Sequence, residues 1–186
     1  MRIKCVENKV AKLPEEIISN YSISYSTFPV LIGKEYVVYG MTVHLGYVWY
    51  YICDESYSYY PTCSPSPLFE VIDGQLSRFW IYSYKEGVRT RLSPRWTFPE
   101  WADNPDFYDD LTDGDECEVK IFKTYKELMD LEFPDPAISE IAQVGDKEWL
   151  ICPMCIDAWI CSNDQDGMVK CPKCRKVMQN PRYQVN

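Results

Sequence analysis

The chain has 186 residues, of which 46% are apolar and 15% aromatic, and this length allows one large domain or a medium-sized domain beside a small one. Its net charge of −9 argues against non-specific nucleic-acid binding, because phosphate groups repel an acidic protein. No stretch approaches the roughly 20 apolar residues of a transmembrane helix, and the N-terminus has no apolar run typical of a signal peptide. These features predict a cytoplasmic protein without a membrane segment.

Charge and cysteine content divide the chain into two parts. Residues 1–147 hold fourteen Lys/Arg and twenty-four Asp/Glu, whereas residues 148–186 hold five and four. The chain has nine cysteines, and four of them form two C-x-x-C pairs near the C-terminus. This odd total favours metal binding over a disulfide framework. We therefore expect an acidic, aromatic-rich β domain over 1–147 and a small metal-binding domain over 148–186.

The first recognisable elements are short β-strands. β-branched and aromatic residues predict strands over Glu35–Val43 and Tyr47–Cys53, which flank a turn and form a hairpin. Further strands are expected over Leu68–Ile72 and Leu76–Tyr84, separated by an Asp-Gly turn. Strands of this length and spacing indicate a small barrel or a strongly bent antiparallel sheet.

An acidic stretch follows, in which residues 98–118 carry nine carboxylates and no Lys or Arg. Two prolines at first-turn positions predict short helices at about 98–112. A strand is expected over Cys117–Phe122, and short helices return at about 124–143, the last of them over Ala137–Gln143. With the strands before them, these elements predict an α+β fold that is mainly β.

The strongest motif is C-x2-C-x15-C-x2-C, formed by Cys152, Cys155, Cys171 and Cys174. Two residues between cysteines allow a tight turn that aims both sulfurs at one point, and fifteen residues suffice for a short hairpin that returns to it. Four thiolates complete a tetrahedron around zinc, which would then stabilise the fold without activating water. We predict a zinc ribbon with structural Zn²⁺, in which Trp149, Trp159 and Val169 pack around the turns.

One alternative at this motif stays open. Iron also accepts four thiolates in a tetrahedral arrangement. Cys161 lies between the two cysteine pairs, but its spacing from Cys155 fits a two-residue turn poorly, so we expect a free thiol.

Aromatic side chains alternate with the carboxylates of the acidic stretch, and a tight interface combines aromatic anchors with a charged rim. A solvated acidic face is the more common outcome for such a pattern, but the aromatic residues lead us to predict a surface for a basic protein partner. The spacing of an EF-hand calcium loop is absent. The candidate contact residues are Trp101, Asp103, Asp106, Phe107, Tyr108, Asp109, Asp110 and Asp113.

The segments Gly33–Met41, Tyr47–Glu55 and Phe69–Gly74 resemble small SH3-like barrel proteins of bacteria, many of which are cytosolic immunity proteins encoded beside polymorphic or contact-dependent toxins. The C-terminal residues CPMCIDAW and GMVKCPKCRKVMQNPRY are similar to the zinc ribbon that ends some such proteins. The resemblance implies an SH3-like barrel followed by a zinc ribbon. It also implies a non-enzymatic protein that inhibits a cognate toxin by direct binding.

A nucleic-acid or transcription-associated zinc-ribbon module is the main alternative. Its support is a basic edge on the ribbon, formed by Lys170, Lys173, Arg175, Lys176 and Arg182, with a second patch at Arg89, Arg91 and Arg95. An enzyme is the least supported reading, because the single histidine, His44, has no recognisable nucleophile or orienting partner. Glycine-rich phosphate-binding motifs are also missing from the sequence.

Overall fold

A computed structural model describes residues 1–20, 25–84, 94–146 and 148–184. They form two compact units, Met1–Lys126 and Glu127–Asn186. The division falls before the 147/148 boundary that the charge pattern suggests. Residues 127–146 belong to the second unit, within which the amide of Gly167 donates to the carbonyl oxygen of Glu132 at 2.9 Å.

The first unit is built on a bent antiparallel sheet of seven strands, whose path runs β4-β3-β2-β1-β5 with β7 and β6 branching from β2. The path stays open in the described residues, since β4 and β5 are its two ends. The strands are β1 (Arg2–Cys5), β2 (Glu35–His44), β3 (Tyr47–Ile52), β4 (Thr62–Pro65), β5 (Phe69–Asp73), β6 (Ile81–Ser83) and β7 (Arg95–Thr97).

Strand β2 organises this sheet, because β3 pairs along one of its edges while β1 and β7 share the other. The register of β2 with β3 shifts between Val38 and Gly40, and such a bulge bends the strand. A Cβ on Gly40 would lie 2.9 Å from Cγ2 of the buried Thr97. The missing side chain therefore lets β7 approach closely. The predicted fourth strand is shorter than expected: Ser77–Trp80 form a turn, and only Ile81–Ser83 pair.

The helices are α1 (Glu15–Asn20), α2 (Pro99–Asp103), α3 (Phe107–Asp113) and α4 (Glu116–Glu132), with 3-10 turns at Val10–Lys12 and Ser66–Leu68. The strand predicted over Cys117–Phe122 is wrong, because α4 is continuous there. Asp115 accepts a hydrogen bond from the amide of Cys117 and caps the helix. Phe122 and Met129 are buried seven residues apart, a helical spacing. Within the described ranges, every helix is too short or too polar to cross a membrane.

The second unit contains two small antiparallel sheets. One has the order β10-β9-β8 and the other pairs β11 with β12. The predicted helix over Ala137–Gln143 is wrong. The carboxylate of Asp135 accepts a hydrogen bond from the amide of Ala137, and its carbonyl oxygen accepts one from the amide of Ile138, which forms a turn before the chain enters β8. The strands are β8 (Gln143–Val144), β9 (Trp149–Ile151), β10 (Ala158–Ile160), β11 (Met168–Lys170) and β12 (Val177–Gln179).

Candidate metal centre

Each cysteine pair forms the tip of a β-hairpin. The first tip joins β9 to β10, where the amide of Ile156 donates to the carbonyl oxygen of Cys152 at 2.9 Å and the amide of Cys152 donates to that of Asp157 at 2.9 Å. Ile156 lies in the left-handed region with φ 59°. These bonds close a tight loop around the first cysteine and turn the chain back into the sheet.

The second tip repeats this backbone between β11 and β12. The amide of Arg175 donates to the carbonyl oxygen of Cys171 at 3.0 Å, the amide of Cys171 donates to that of Lys176 at 2.9 Å, and φ of Arg175 is 63°. We call the two tips the first knuckle (Cys152–Asp157) and the second knuckle (Cys171–Lys176). Their matching geometry directs four sulfurs to one point.

The sulfur positions fit a tetrahedral metal ion. Cys152 Sγ lies 3.7 Å from Cys174 Sγ, and Cys155 Sγ lies 3.7 Å from Cys171 Sγ. All four sulfurs lie within 4.8 Å of one another. A tetrahedron with metal–sulfur bonds of about 2.3 Å has edges of about 3.8 Å. The cluster could therefore hold a metal ion with four protein ligands after only small adjustments.

The surroundings of these cysteines shift the pKa values of their thiols in opposite directions. Cys152 and Cys171 are fully buried, and the cluster packs in a small core with Leu150, Val169 and Met178. Burial opposes ionisation of Cys171, but the amides of the second knuckle lower the pKa of its thiol to about 7. Although a backbone amide favours ionised Cys155, burial and the neighbouring sulfurs raise the pKa of its thiol to about 12. A bound cation would remove this conflict by neutralising several thiolates at once.

The four predicted cysteines are brought together, and Cys161 is excluded from the group of sulfurs. Its Sγ instead points to the carbonyl oxygen of Asn163 at 4.0 Å. Trp159 and Val169 pack against the cluster as expected, whereas Trp149 is 43% exposed. Sequence reasoning missed the left-handed residues Ile156 and Arg175, although each directly follows a C-x-x-C pair.

The predicted partner surface is divided between core and solvent. Asp103, Asp106, Asp109 and Asp113 are exposed, and Tyr108 and Asp110 are partly exposed. Trp101 and Phe107 are each 1% exposed. The short helices α2 and α3 therefore turn these two aromatic side chains inward, and the partner surface itself stays a prediction.

The aromatic rings of Phe98, Trp101, Phe107 and Tyr108 form a cluster, and Trp101 contacts the other three. It stacks on Phe107 and on Tyr108, with ring centroids 5.6 and 5.5 Å apart. The hydroxyl of Tyr108 donates to the carbonyl oxygen of Pro61 at 2.9 Å, which ties α3 to the loop before β4. The aromatic residues of the acidic stretch thus serve packing, and its carboxylates form the surface.

The four cysteines form the one group of three or more His, Cys, Asp or Glu in the described ranges with ligand atoms close enough for an ion. His44 belongs to no such group and lies beside Trp49, with ring centroids 5.9 Å apart. No protein-family model, curated protein or solved structure matches the chain.

Proposed function

We propose that the four cysteines bind a structural zinc ion and that Glu127–Asn186 is a zinc ribbon. The sulfur tetrahedron carries this proposal, since four protein ligands saturate tetrahedral zinc and leave no position for a reacting water. The ion would fasten the two knuckles together. Each sheet of this unit has only two or three strands, so metal binding would supply folding free energy that a small core lacks.

Metal analysis tests the identity of the ion. Protein purified without added metal should contain one zinc per chain by elemental analysis. Replacement by Co²⁺ should give the visible absorption of tetrahedral four-thiolate cobalt, because geometry and ligand type are then those of the zinc site. One iron per chain would contradict zinc, and less than stoichiometric binding of either metal would contradict the site.

We further propose that the chain acts by binding, as a non-enzymatic cytoplasmic inhibitor of the immunity type whose partner is a basic toxin domain. The net charge of −9 and the exposed carboxylates of α2 and α3 support this proposal, because charge of opposite sign steers association and raises its rate. The SH3-like barrel belongs to the same proposal, supported by the bent β2 that β1 and β7 share. A reducing compartment would keep the thiolates available for metal.

Co-expression with the product of a neighbouring gene tests this function. A toxic basic product should be neutralised and should form a complex whose association rate falls with ionic strength. The triple variant Asp106→Lys, Asp109→Lys and Asp113→Lys should associate at least tenfold more slowly. Its matched control is Glu15→Lys with Glu16→Lys, two exposed acids on α1. Absence of any basic binding partner would refute the proposal.

A nucleic-acid module stays the second candidate, because Lys173, Arg175 and Lys176 are all exposed on the second knuckle. Arg182 does not strengthen this edge, since its guanidinium donates to the carbonyl oxygens of Cys161 and Trp149. Of the second patch, Arg95 lies in β7, while Arg89 and Arg91 lie outside the described residues. Salt-dependent RNA or DNA binding that is lost when the three knuckle cations become Glu would favour this candidate.

A further inference from the structure

Strand β10 is an open edge of the three-stranded sheet in the second unit. The carbonyl oxygen of Asp157 and the amide of Cys161 bond to the β9 side, at Cys152 and Glu148. Because backbone groups alternate along a strand, Trp159 also faces β9, and the amides and carbonyls of Ala158 and Ile160 point away from the sheet. No backbone group elsewhere in the described residues bonds to them. Four backbone groups are therefore available to one additional strand.

The side chains beside this edge are apolar and exposed. Trp149 and Ile160 are directly paired across β9 and β10, as are Ile151 and Ala158, so all four lie on one face of the sheet. Trp149 is 43% and Ile160 61% exposed. The opposite face, with Leu150 and Trp159, packs against the cysteine cluster. The exposed face thus has no role in enclosing the metal site.

Ile156, on the knuckle that joins these two strands, has two unfavourable features. A β-branched residue is rare at a φ of 59°, and its side chain is 73% exposed. Met154 in the same knuckle is 45% exposed. The left-handed backbone belongs to the knuckle itself, as at Arg175, but exposed apolar side chains next to the β10 edge are expected where a surface contacts another molecule.

The surrounding charge indicates what kind of partner fits. The second unit, residues 127–186, contains ten carboxylates and six Lys or Arg, a net charge of −4. Asp146 and Glu148, which lie just before β9, are exposed, whereas Asp157 beside β10 lies 3.8 Å from Nζ of Lys173. A second copy of this chain would bring two such acidic units together. A basic partner would find complementary charge around an apolar centre.

We propose that β10 and the apolar face beside it dock an extended segment of a partner protein that is both apolar and basic and that adds to the sheet as a fourth strand. Backbone hydrogen bonds to Ala158 and Ile160 would hold the segment, and alternate side chains would cover Trp149 and Ile160. The inference rests on the proposed function only in taking the partner to be basic.

Three synthetic nine-residue peptides serve as probes for the full-length, zinc-loaded chain: KVKVKVKVK, its acidic counterpart EVEVEVEVE, and the non-apolar KSKSKSKSK. Fluorescence polarisation of labelled peptide measures binding. We expect the first peptide to bind, and the other two to bind at least tenfold more weakly. Equal binding of the two lysine peptides would overturn the proposal by showing that charge alone suffices, and so would absence of binding by the first.

Two variants locate the site. Ala158→Pro removes an outward amide without touching the β9 ladder, a position where an edge strand tolerates proline, and Ile160→Ser removes the exposed side chain. Each should weaken binding of KVKVKVKVK at least tenfold while zinc content stays at one per chain. The control is Val71→Ser, since Val71 is 50% exposed on β5 in the other unit. Unchanged binding by both variants would overturn the proposal.

Two further outcomes separate this inference from its premise. A concentration-dependent dimer in sedimentation that Ile160→Ser abolishes would make a second copy the occupant and refute a basic partner segment. A basic toxin that binds both variants as tightly as the native chain would refute the docking surface and leave the proposed function standing. Peptide binding as expected, together with no basic protein partner, would refute the proposed function and leave the docking surface standing.

Discussion

Replacing Cys171 by serine should unfold the second unit and leave the first intact. Glu127–Asn186 has 60 residues, which at about 0.05–0.15 kcal/mol per residue corresponds to about 3–9 kcal/mol of stability. Structural zinc binding contributes about 10–16 kcal/mol in small zinc domains at neutral pH. Because the metal contribution is larger than the whole expected stability, the unit should not stay folded once a ligand is lost.

Hydrogen exchange followed by mass spectrometry measures this effect unit by unit. In Cys171→Ser, amide protection should disappear from β9 to β12 and persist in β1 to β5, and bound zinc should fall well below one per chain. Cys161→Ser is the matched control, because Cys161 lies in the same unit but outside the group of four sulfurs. It should keep both metal and protection. Wild-type protection of β9 to β12 in Cys171→Ser would refute the structural role of the metal.

Three further predictions concern the first unit. Burial raises the pKa of the Cys63 thiol to about 12, although the residue is only partly buried. Maleimide at pH 8 should therefore label exposed Cys117 rapidly and Cys63 much more slowly, and equal rates would contradict this. Burial and Glu100 raise the pKa of Tyr125 to about 12. The stability that this shift contributes is therefore complete below the ordinary tyrosine pKa of about 10 and is lost as the pH rises towards 12. Spectrophotometric titration of Glu100→Gln should show a lower pKa for one tyrosine, and an unchanged titration curve would argue against Glu100 as a cause. Gly40→Ala should lower the free energy of unfolding, measured by chemical denaturation, by about 1–3 kcal/mol, because the new Cβ would meet Thr97. Gly74→Ala should be nearly neutral, because the nearest atom to its new Cβ lies 3.8 Å away. Equal effects of the two variants would refute the steric explanation.

The cysteine cluster could be predicted because the information is local. Two residues between cysteines determine each knuckle, and the same backbone bonds recur at Cys152 and Cys171. The β2–β3 hairpin was predictable for the same reason, as its strands are separated by one turn. The pairing of Met41 with Trp96 joins residues far apart in the chain. No short sequence window contains that contact, so the arrangement of β7 beside β2 could not be derived.

The errors in the acidic stretch have a common physical cause. Cys117–Phe122 is short enough to fit a strand, and its helical character becomes visible only over α4 as a whole, where Phe122 and Met129 are buried. Trp101 and Phe107 are interleaved with carboxylates in the sequence. This pattern is compatible with exposed aromatic anchors inside a charged rim and also with short amphipathic helices whose aromatic side chains are buried. Tertiary packing decides between the two, and here the aromatic rings meet one another in the core.

The two knuckles show which positions the metal site constrains and which it leaves open. Both need cysteines and a left-handed residue, and both have that backbone. At the equivalent positions, however, the first knuckle carries Met154, Ile156 and Asp157, while the second carries Lys173, Arg175 and Lys176. One tip is therefore apolar and acidic and the other basic, although metal binding requires neither. Because the ion would hold both tips, its loss would abolish either surface through unfolding, and only substitutions at these open positions can separate a binding role from stability.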